Sequence, residues 1–383
     1  AGAAKRKKAS GKAPPGAAKD GAGEDWTLEW HADGASACLT CDVDQETSFM
    51  GSAEMMVTRG VMRVMGREVG PSSRWVHLSA DPRCGGALPL EAVAPTALGA
   101  DGEGRGVRAH GSVSAEFRSP PGGCEASFRA QRVGPLGAPP PERMFRVPPE
   151  WQEAAAAVTG ALNPPPSLGG GPPPPVVVVV CGSKGVGKST LCQVVCNTLL
   201  NACPAVAFLD TDLGQPEFTV PGQVSLHVLE GPQPVAGPAH THPRAPARAH
   251  FVGDTSPASH PELYLEAVAA LHRWYRSALG SPRAGWMPLV VNTHGWIKGA
   301  GLDLLVDLLR LLAPSHVLQV NAPQGAKNLP EGAFWTEGGG GNALGEGEPA
   351  QPPPPGCSLL HVKSVGAGEA EAGAGGGGGA SHG

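Results

Sequence analysis

The stretch VVVVVCGSKGVGKSTLCQVV, residues 176–195, limits what this chain can fold into more than any other. Five valines and Cys181 lead into Gly182-Ser183-Lys184-Gly185-Val186-Gly187-Lys188-Ser189, which fits G-x-x-x-x-G-K-[ST] without substitution. An unbroken β-branched run suits a parallel strand covered on both faces. Ser189–Asn201 then reads as the helix that follows. In that setting glycines let backbone N–H groups turn inward around a phosphate, and the helix N-terminus adds its dipole. The nucleotide-binding set is therefore residues 182–189 with Thr190. Lys188 can reach the β- and γ-phosphates of a nucleoside triphosphate, and the Ser189 hydroxyl can sit on Mg²⁺.

The chain around this loop alternates strand and helix patterns. AVAFLD (205–210), PLVVNT (288–293) and SHVLQV (315–320) read as strands, and 260–279 and 301–313 read as helices. That order predicts an α/β, P-loop NTPase domain with a parallel sheet over 147–325. VPPEWQEAAAAVTGAL (147–162) is expected to be a short connecting helix, followed by the proline-rich spacer NPPPSLGGGPPPP.

The flanking sequence is of another texture. Gly 56 and Pro 41 make about a quarter of the 383 residues, close to where compositional disorder begins. With aromatics at only 5%, a core must rest on Val, Leu and Ala. Residues 1–24 carry Lys5-Arg6-Lys7-Lys8 in a small-residue context and are expected to be a disordered basic arm, a nuclear address or nucleic-acid tether. Residues 25–146 show short alternating runs with glycine at the turns, a smaller, mostly β domain whose 80–140 portion reads as a Gly/Pro-rich, loop-like insertion. Residues 326–383 lack periodicity and are expected to be a disordered low-complexity tail.

Charge and cysteine content exclude little. A net charge of −5 does not advertise nucleic-acid binding, since local patches matter more than the sum. The nine cysteines, without a secretory signal or an apolar 18-mer, point to free thiols in a reducing compartment and to no membrane partner. Cys38 and Cys41 form a lone CxxC, read as two ordinary thiols in a strand. The start at Ala1 rather than Met and the glycine-rich end are those expected of an incomplete gene model.

About twenty residues beyond the loop, FLDTDLGQPEF places Asp210 and Asp212 at the carboxyl end of a strand, on one face by period-2 spacing. One carboxylate can organise the metal while the other accepts a proton from an attacking hydroxyl. No N-K-x-D follows, which argues against guanine specificity. Residues alone stop at a P-loop phosphotransferase or NTPase of unknown acceptor.

GSKGVGKSTL, DTDLGQPEFTVPGQVSL, FVGDTSP and PLVVNTHGWIKGAGLDLLVDLLRLLAPSHVLQ together resemble the polynucleotide 5′-hydroxyl kinases, with the nucleolar, pre-rRNA-processing branch the most similar. The likeness is dense over 147–320 and weaker over 25–95. It implies transfer of the ATP γ-phosphate to the 5′-hydroxyl of RNA, with DNA open as a second acceptor. It also implies a place in the nucleus and nucleolus, beside an rRNA-processing nuclease complex. Carried over by residue, Lys188 and Ser189 hold the triphosphate and Mg²⁺. Asp212 is the base, and Asp210 and Gln215 support metal and acceptor. Trp296 stacks on a substrate base, with Thr255 and Asn292 also at the substrate.

The chain departs from that family in one respect. Members carry a basic lid after the last matched strand, whereas residues 321–383 contain only Lys327 and Lys363 as Lys or Arg. A lid cation stabilises charge as the γ-phosphate leaves. Two alternatives therefore stay open beside the kinase: a catalytically weakened ATP-binding scaffold of an rRNA-processing complex, and a generic P-loop NTPase. The basic, His-rich 232–250 is expected either to meet phosphates through Arg244 and Arg248 or to be a plain surface loop.

Overall fold

The computed structural model describes residues 26–31, 36–72, 74–80, 87–94, 112–120, 129–132, 145–162, 175–281, 286–336 and 352–365. The expectations for the basic arm and the proline-rich spacer lie outside them.

The first unit is antiparallel β. Its strands are β1 (Trp26–Trp30), β2 (Ser36–Asp42), β3 (Glu46–Arg59), β4 (Val61–Val64), β5 (Arg67–Val69), β6 (Val76–Ala80), β7 (Leu88–Val93), β8 (Ser112–Arg118) and β9 (Arg129–Arg132). They pair in the order β1-β2-β8-β3-β7-β4-β5, with β6 and β9 also on β3. The long β3 takes β7 and β9 along its first half and β6 and β8 along its second. In β2 and β8 buried and half-exposed residues alternate strictly, as one covered face requires. The loop-like reading of 80–140 is thus corrected, because β7, β8 and β9 fall inside it. Their hydrophobic runs are too short and too interrupted by Gly and Pro to stand out locally. Cys38 and Cys41 lie on β2, facing opposite ways, and burial pushes the Cys41 thiol up to about 12.

The second unit begins with helix α1 (Pro149–Gly160). It continues through β10 (Val177–Gly182), α2 (Lys188–Ala202), β11 (Ala205–Asp210), β12 (Gln223–Glu230), β13 (Arg248–Phe251), α3 (Pro261–Ala278), β14 (Leu289–Asn292), α4 (Ala300–Leu312), β15 (His316–Asn321) and β16 (Ser358–Lys363). Its sheet runs β13-β12-β11-β14-β10-β15-β16. β11, β14, β10, β15 and β16 are parallel, whereas β12 and β13 add antiparallel at one edge. The expected parallel sheet is therefore a mixed one.

The valine run is buried on both faces, and alternation splits it. Val178 and Val180 pack with α1, α2 and the β unit, and Val177, Val179 and Cys181 pack with α3 and α4. Each buried valine contributes on the order of 1.5 kcal/mol or more over an exposed one.

Helix α2 is enclosed between the sheet and the first unit, which is why most of its residues are buried. Asn197 is fully buried with its amide satisfied three ways, donating to Met65 O (2.9 Å) and Val235 O (2.8 Å) and accepting from Val235 N (2.8 Å). At the C-terminal end of α2, Arg67 from the β4–β5 hairpin donates to Leu200 O and to Asn201 Oδ1 (2.8 Å). It reaches Gly231 O (2.9 Å) as well. Because α2 has no basic residue in its own last turn, the β unit supplies the cation its dipole favours.

The structureless tail expected over 326–383 also needs correction. Residues 358–363 form β16, paired in parallel along β15. Trp151 on α1 fixes that strand by donating Nε1–H to Lys363 O (2.8 Å). Upstream, Phe334 and Trp335 are buried in the α3–α4 core. No helix among the described residues is long and apolar enough to cross a membrane.

Candidate active site

The turn between β10 and α2 depends on glycines with positive φ. Gly182 lies at φ 146°, Gly185 at 79° and Gly187 at 99°. Two also leave no room for a side chain. A Cβ on Gly182 would stand 2.5 Å from Val320 O, and one on Gly187 would stand 2.9 Å from the Trp151 indole. Lys188 is buried and folds back to donate Nζ–H to Ser183 O (3.0 Å). Burial lowers its pKa, and the nearby Asp212 charge opposes that shift. Ser183 Oγ is buried without a hydrogen-bond partner. An unpaired hydroxyl, a retracted lysine and a glycine cradle together fit a triphosphate. Ser189 and Thr190 stand half-exposed in the first turn of α2, and Lys184 and Gly185 are exposed at the rim.

Asp210, at the end of β11, is fully buried. Its Oδ1 accepts from Asp212 N and Asn292 Nδ2, both at 3.2 Å, and its Oδ2 from Glu217 N at 2.6 Å. Burial nevertheless outweighs those donors and lifts its pKa to about 7. Asp212 is half-exposed, and its Oδ1 accepts from Gly214 N (3.0 Å) and Gln215 N (3.1 Å). Among the described residues no donor reaches its Oδ2. The two carboxylates thus differ: Asp210 is locked into the loop, while Asp212 keeps one oxygen available beside Lys188. With both Asp210 oxygens already accepting, the donor set fits a metal held by Ser189 and reached from Asp210 through water. No cluster of three His, Cys, Asp or Glu side chains suited to a metal occurs among the described residues.

Behind Asp210 lies a polar network that sequence reading missed. The buried Glu217 carboxylate accepts from Gln193 Nε2 on α2 and from His242 Nε2, both at 2.7 Å. Glu217 stood inside the DTDLGQPEF block, the one signal that could have singled it out. Arg244 lies over Phe218, 5.4 Å from the ring centroid, and burial lowers its pKa. Arg248 is exposed on β13 and sits 4.9 Å from the Trp274 centroid. So 232–250 is partly built into the domain rather than a plain loop.

The β14 end closes the crevice. A Cβ on Gly295 would stand 2.7 Å from Lys184 Cα, so this segment lies directly on the phosphate loop. His294 beside it is buried, and neither ring nitrogen has a hydrogen-bond partner of ordinary geometry. Burial drives its pKa down to about 4, with Asp212 raising it and Lys188 lowering it further. Nothing in its spacing marked it beforehand.

Residues 182–334 match the family described as the mRNA cleavage and polyadenylation factor CLP1 P-loop. The curated polynucleotide 5′-hydroxyl-kinase NOL9 of Arabidopsis thaliana is 43% identical over 163 residues, which are 42% of this chain and 44% of the relative. Polynucleotide 5′-hydroxyl-kinase GRC3 of Gibberella zeae is 30% identical over 299 residues, 71% of this chain and 39% of the relative. Over these stretches the chain is similar to the polynucleotide 5′-hydroxyl kinases. It spans less than half the length of these two relatives. A solved Clp1p–Pcf11p structure aligns at a TM-score of 0.46 with 13% identity, covering 78% of this chain and 63% of that one.

The other positions singled out by likeness to the polynucleotide 5′-hydroxyl kinases fall around the same crevice. Asn292 is buried, bonded to Asp210, and its carbonyl accepts from Thr211 N (3.0 Å) and Thr211 Oγ1 (2.7 Å). That makes it a strut of the site rather than an open surface. Thr255 is exposed, and its carbonyl lies 3.0 Å from where a Gly214 Cβ would be, next to Asp212. It does not cap α3, whose N-cap residue is His260. Gln215 is exposed with its backbone N–H on Asp212. Trp296 is 37% exposed, and a Cβ on Gly301 would collide with its ring.

Proposed function

We propose that this chain is an ATP-dependent polynucleotide 5′-hydroxyl kinase acting on RNA ends in pre-rRNA processing. The observation that carries this reading is the division of labour at the crevice. Asp212 has a carboxylate oxygen without a donor, in the electrostatic reach of Lys188, while Asp210 is fixed behind it. Bound ATP supplies the γ-phosphoryl group, and Mg²⁺ disperses its charge.

Lys188, now on Ser183 O, would hold the phosphates, and Ser183 Oγ would find its missing partner there. Ser189 would hold the metal, with Asp210 behind it. Asp212 Oδ2 takes the proton from the 5′-hydroxyl, and Gly214 N and Gln215 N keep that carboxylate aimed through Oδ1. The exposed part of Trp296 receives a base of the acceptor strand, with Thr255 and Gln215 at its edge. Catalysis of this type rests on positioning and charge stabilisation rather than covalent chemistry by the protein.

RNA as acceptor, with DNA as a second one, a nucleolar site and an rRNA-processing nuclease complex as partner are parts of the same proposal. They draw on the likeness carried by residues 147–320, and the name NOL9 among the relatives bears on the nucleolar site alone.

A second reading, an ATP-binding scaffold in that complex, draws on Lys363. Its ammonium, on the edge strand β16, lies 3.4 Å from Glu150 on α1, and Lys327 is the other Lys or Arg within residues 321–383.

Incubation with γ-labelled ATP and a 5′-hydroxyl oligoribonucleotide separates these readings. Label on the oligonucleotide supports the kinase. ATP binding without transfer leaves the scaffold, and hydrolysis indifferent to the oligonucleotide leaves a generic NTPase.

A further inference from the structure

We propose that Phe251 is a stacking platform for a base of the acceptor polynucleotide, separate from Trp296. This rests on the kinase reading for the identity of its ligand.

Phe251 ends the edge strand β13 and is 76% exposed, more than any other large hydrophobic side chain among the described residues. An isolated phenylalanine is not unusual on a surface, but this one is held in place and left uncovered. Its ring lies along two glycines. Cβ atoms on Gly222 and Gly253 would stand 3.4 Å from Cε2 and 3.6 Å from Cε1. Both glycines have positive φ, 93° and 88°, so side chains are disfavoured where they would cover the ring.

The backbone beneath is rigid. Val252 N and Gly253 N both donate to Gly222 O, at 2.9 and 3.0 Å, and Phe251 pairs with Gln223 across β12. A backbone held before the ligand arrives lowers the ordering cost of binding.

The same hydrogen bonds lead to the catalytic crevice. Gly222 N donates to Leu213 O at 2.9 Å, which places the platform one turn from Asp212. Gly214, the next residue, touches the Thr255 carbonyl and Asp212 Oδ1. Strand alternation sends Arg248 and His250 to the opposite face from Phe251, and the neighbouring Val220 is 68% exposed. An exposed ring with an exposed valine nearby in sequence suits the face of a base rather than a phosphate. Stacking tolerates any base, as a kinase acting on polynucleotide ends requires.

The test compares wild type with Phe251→Ala and Phe251→Trp, using anisotropy of a fluorescent 5′-hydroxyl oligoribonucleotide, ATP calorimetry and label transfer. Loss of one stacked base predicts that Phe251→Ala weakens oligonucleotide binding roughly 5- to 150-fold. KM for the oligonucleotide should rise in parallel, with ATP affinity and the melting curve unchanged. Phe251→Trp should bind as well as wild type. Equal oligonucleotide affinity for Phe251→Ala and wild type overturns the platform while leaving the kinase reading intact. A wild type that neither binds nor labels the oligonucleotide overturns both. If Phe251→Ala instead abolishes a self-association seen by sedimentation and leaves oligonucleotide binding untouched, the ring belongs to a protein contact and the proposal fails.

Discussion

The main-chain N–H of Glu217 donates to Asp210 Oδ2 at 2.6 Å, while the Glu217 carboxylate holds Gln193 and His242 at 2.7 Å each. One residue thus ties the phosphate-loop helix and the 232–250 segment to the fixed aspartate. Glu217→Ala removes the acceptor shared by the buried Gln193 and the half-buried His242 and should cost about 2–4 kcal/mol in urea unfolding. Glu217→Gln, which keeps one acceptor oxygen, should lose clearly less. A change within ~0.5 kcal/mol for the alanine variant would mean the network is not structural.

Lys188→Ala should abolish label transfer. Asp212→Asn should lower turnover by about 10²- to 10⁴-fold, the range of general base catalysis, with a smaller change in ATP affinity. Steady-state transfer and ATP calorimetry read the two effects separately. Normal turnover by Asp212→Asn would reject it as the base.

Arg67 is half-buried against the last turn of α2 with its guanidinium forked over three acceptors. Arg67→Ala should destabilise the protein by roughly 2–3 kcal/mol and speed amide exchange at the end of α2. Arg67→Lys should recover only part of this, since an ammonium cannot match the planar fork. Unchanged exchange at Leu199 and Leu200 would contradict the capping role.

Three buried histidines set an acid dependence. Burial lowers His227, His272 and His294 from 6.5 to about 4 in the folded state. Between those values the unfolded chain binds more protons than the folded one, so stability falls as pH drops from 6.5 towards 4. Each histidine contributes up to about 3 kcal/mol of that loss. Asp210 works the other way. Raised from 3.8 to about 7, it makes the folded state less stable as pH climbs through that window. His272 is stacked on Tyr275 with Nε2 unpaired. His272→Leu should flatten the acid limb of a plot of urea midpoint against pH. A limb as steep as wild type would remove His272 from this account.

What the sequence made legible was local. Val176–Val180 and the octet announced strand, loop and helix because their pattern is contiguous, and helices near 260–279 and 301–313 follow from amphipathic spacing. The antiparallel β12 and β13 were not foreseen, since alternation in QVSLHVLE is blurred by burial on both faces. SLLHVK was too short and too closely flanked by Gly and Pro to read as a strand, and it gains order only along β15. Asp210 and Asp212 were visible as a pair, but their unequal environments come from Glu217 and Asn292. His294 is notable only because three-dimensional packing buries it with neither ring nitrogen in a hydrogen bond of ordinary geometry.

Trp151 lies under Gly187 and also grips Lys363. Beneath the phosphate loop, one indole therefore joins the start of the domain to a strand made more than two hundred residues later. On the ribosome, the phosphate loop, α2 and β15 are already synthesised before β16 emerges. Until then the indole N–H has no carbonyl to meet, and β15 remains an open edge able to pair with a neighbouring nascent chain. Completion of the nucleotide cradle thereby waits for a strand translated more than two hundred residues after Trp151.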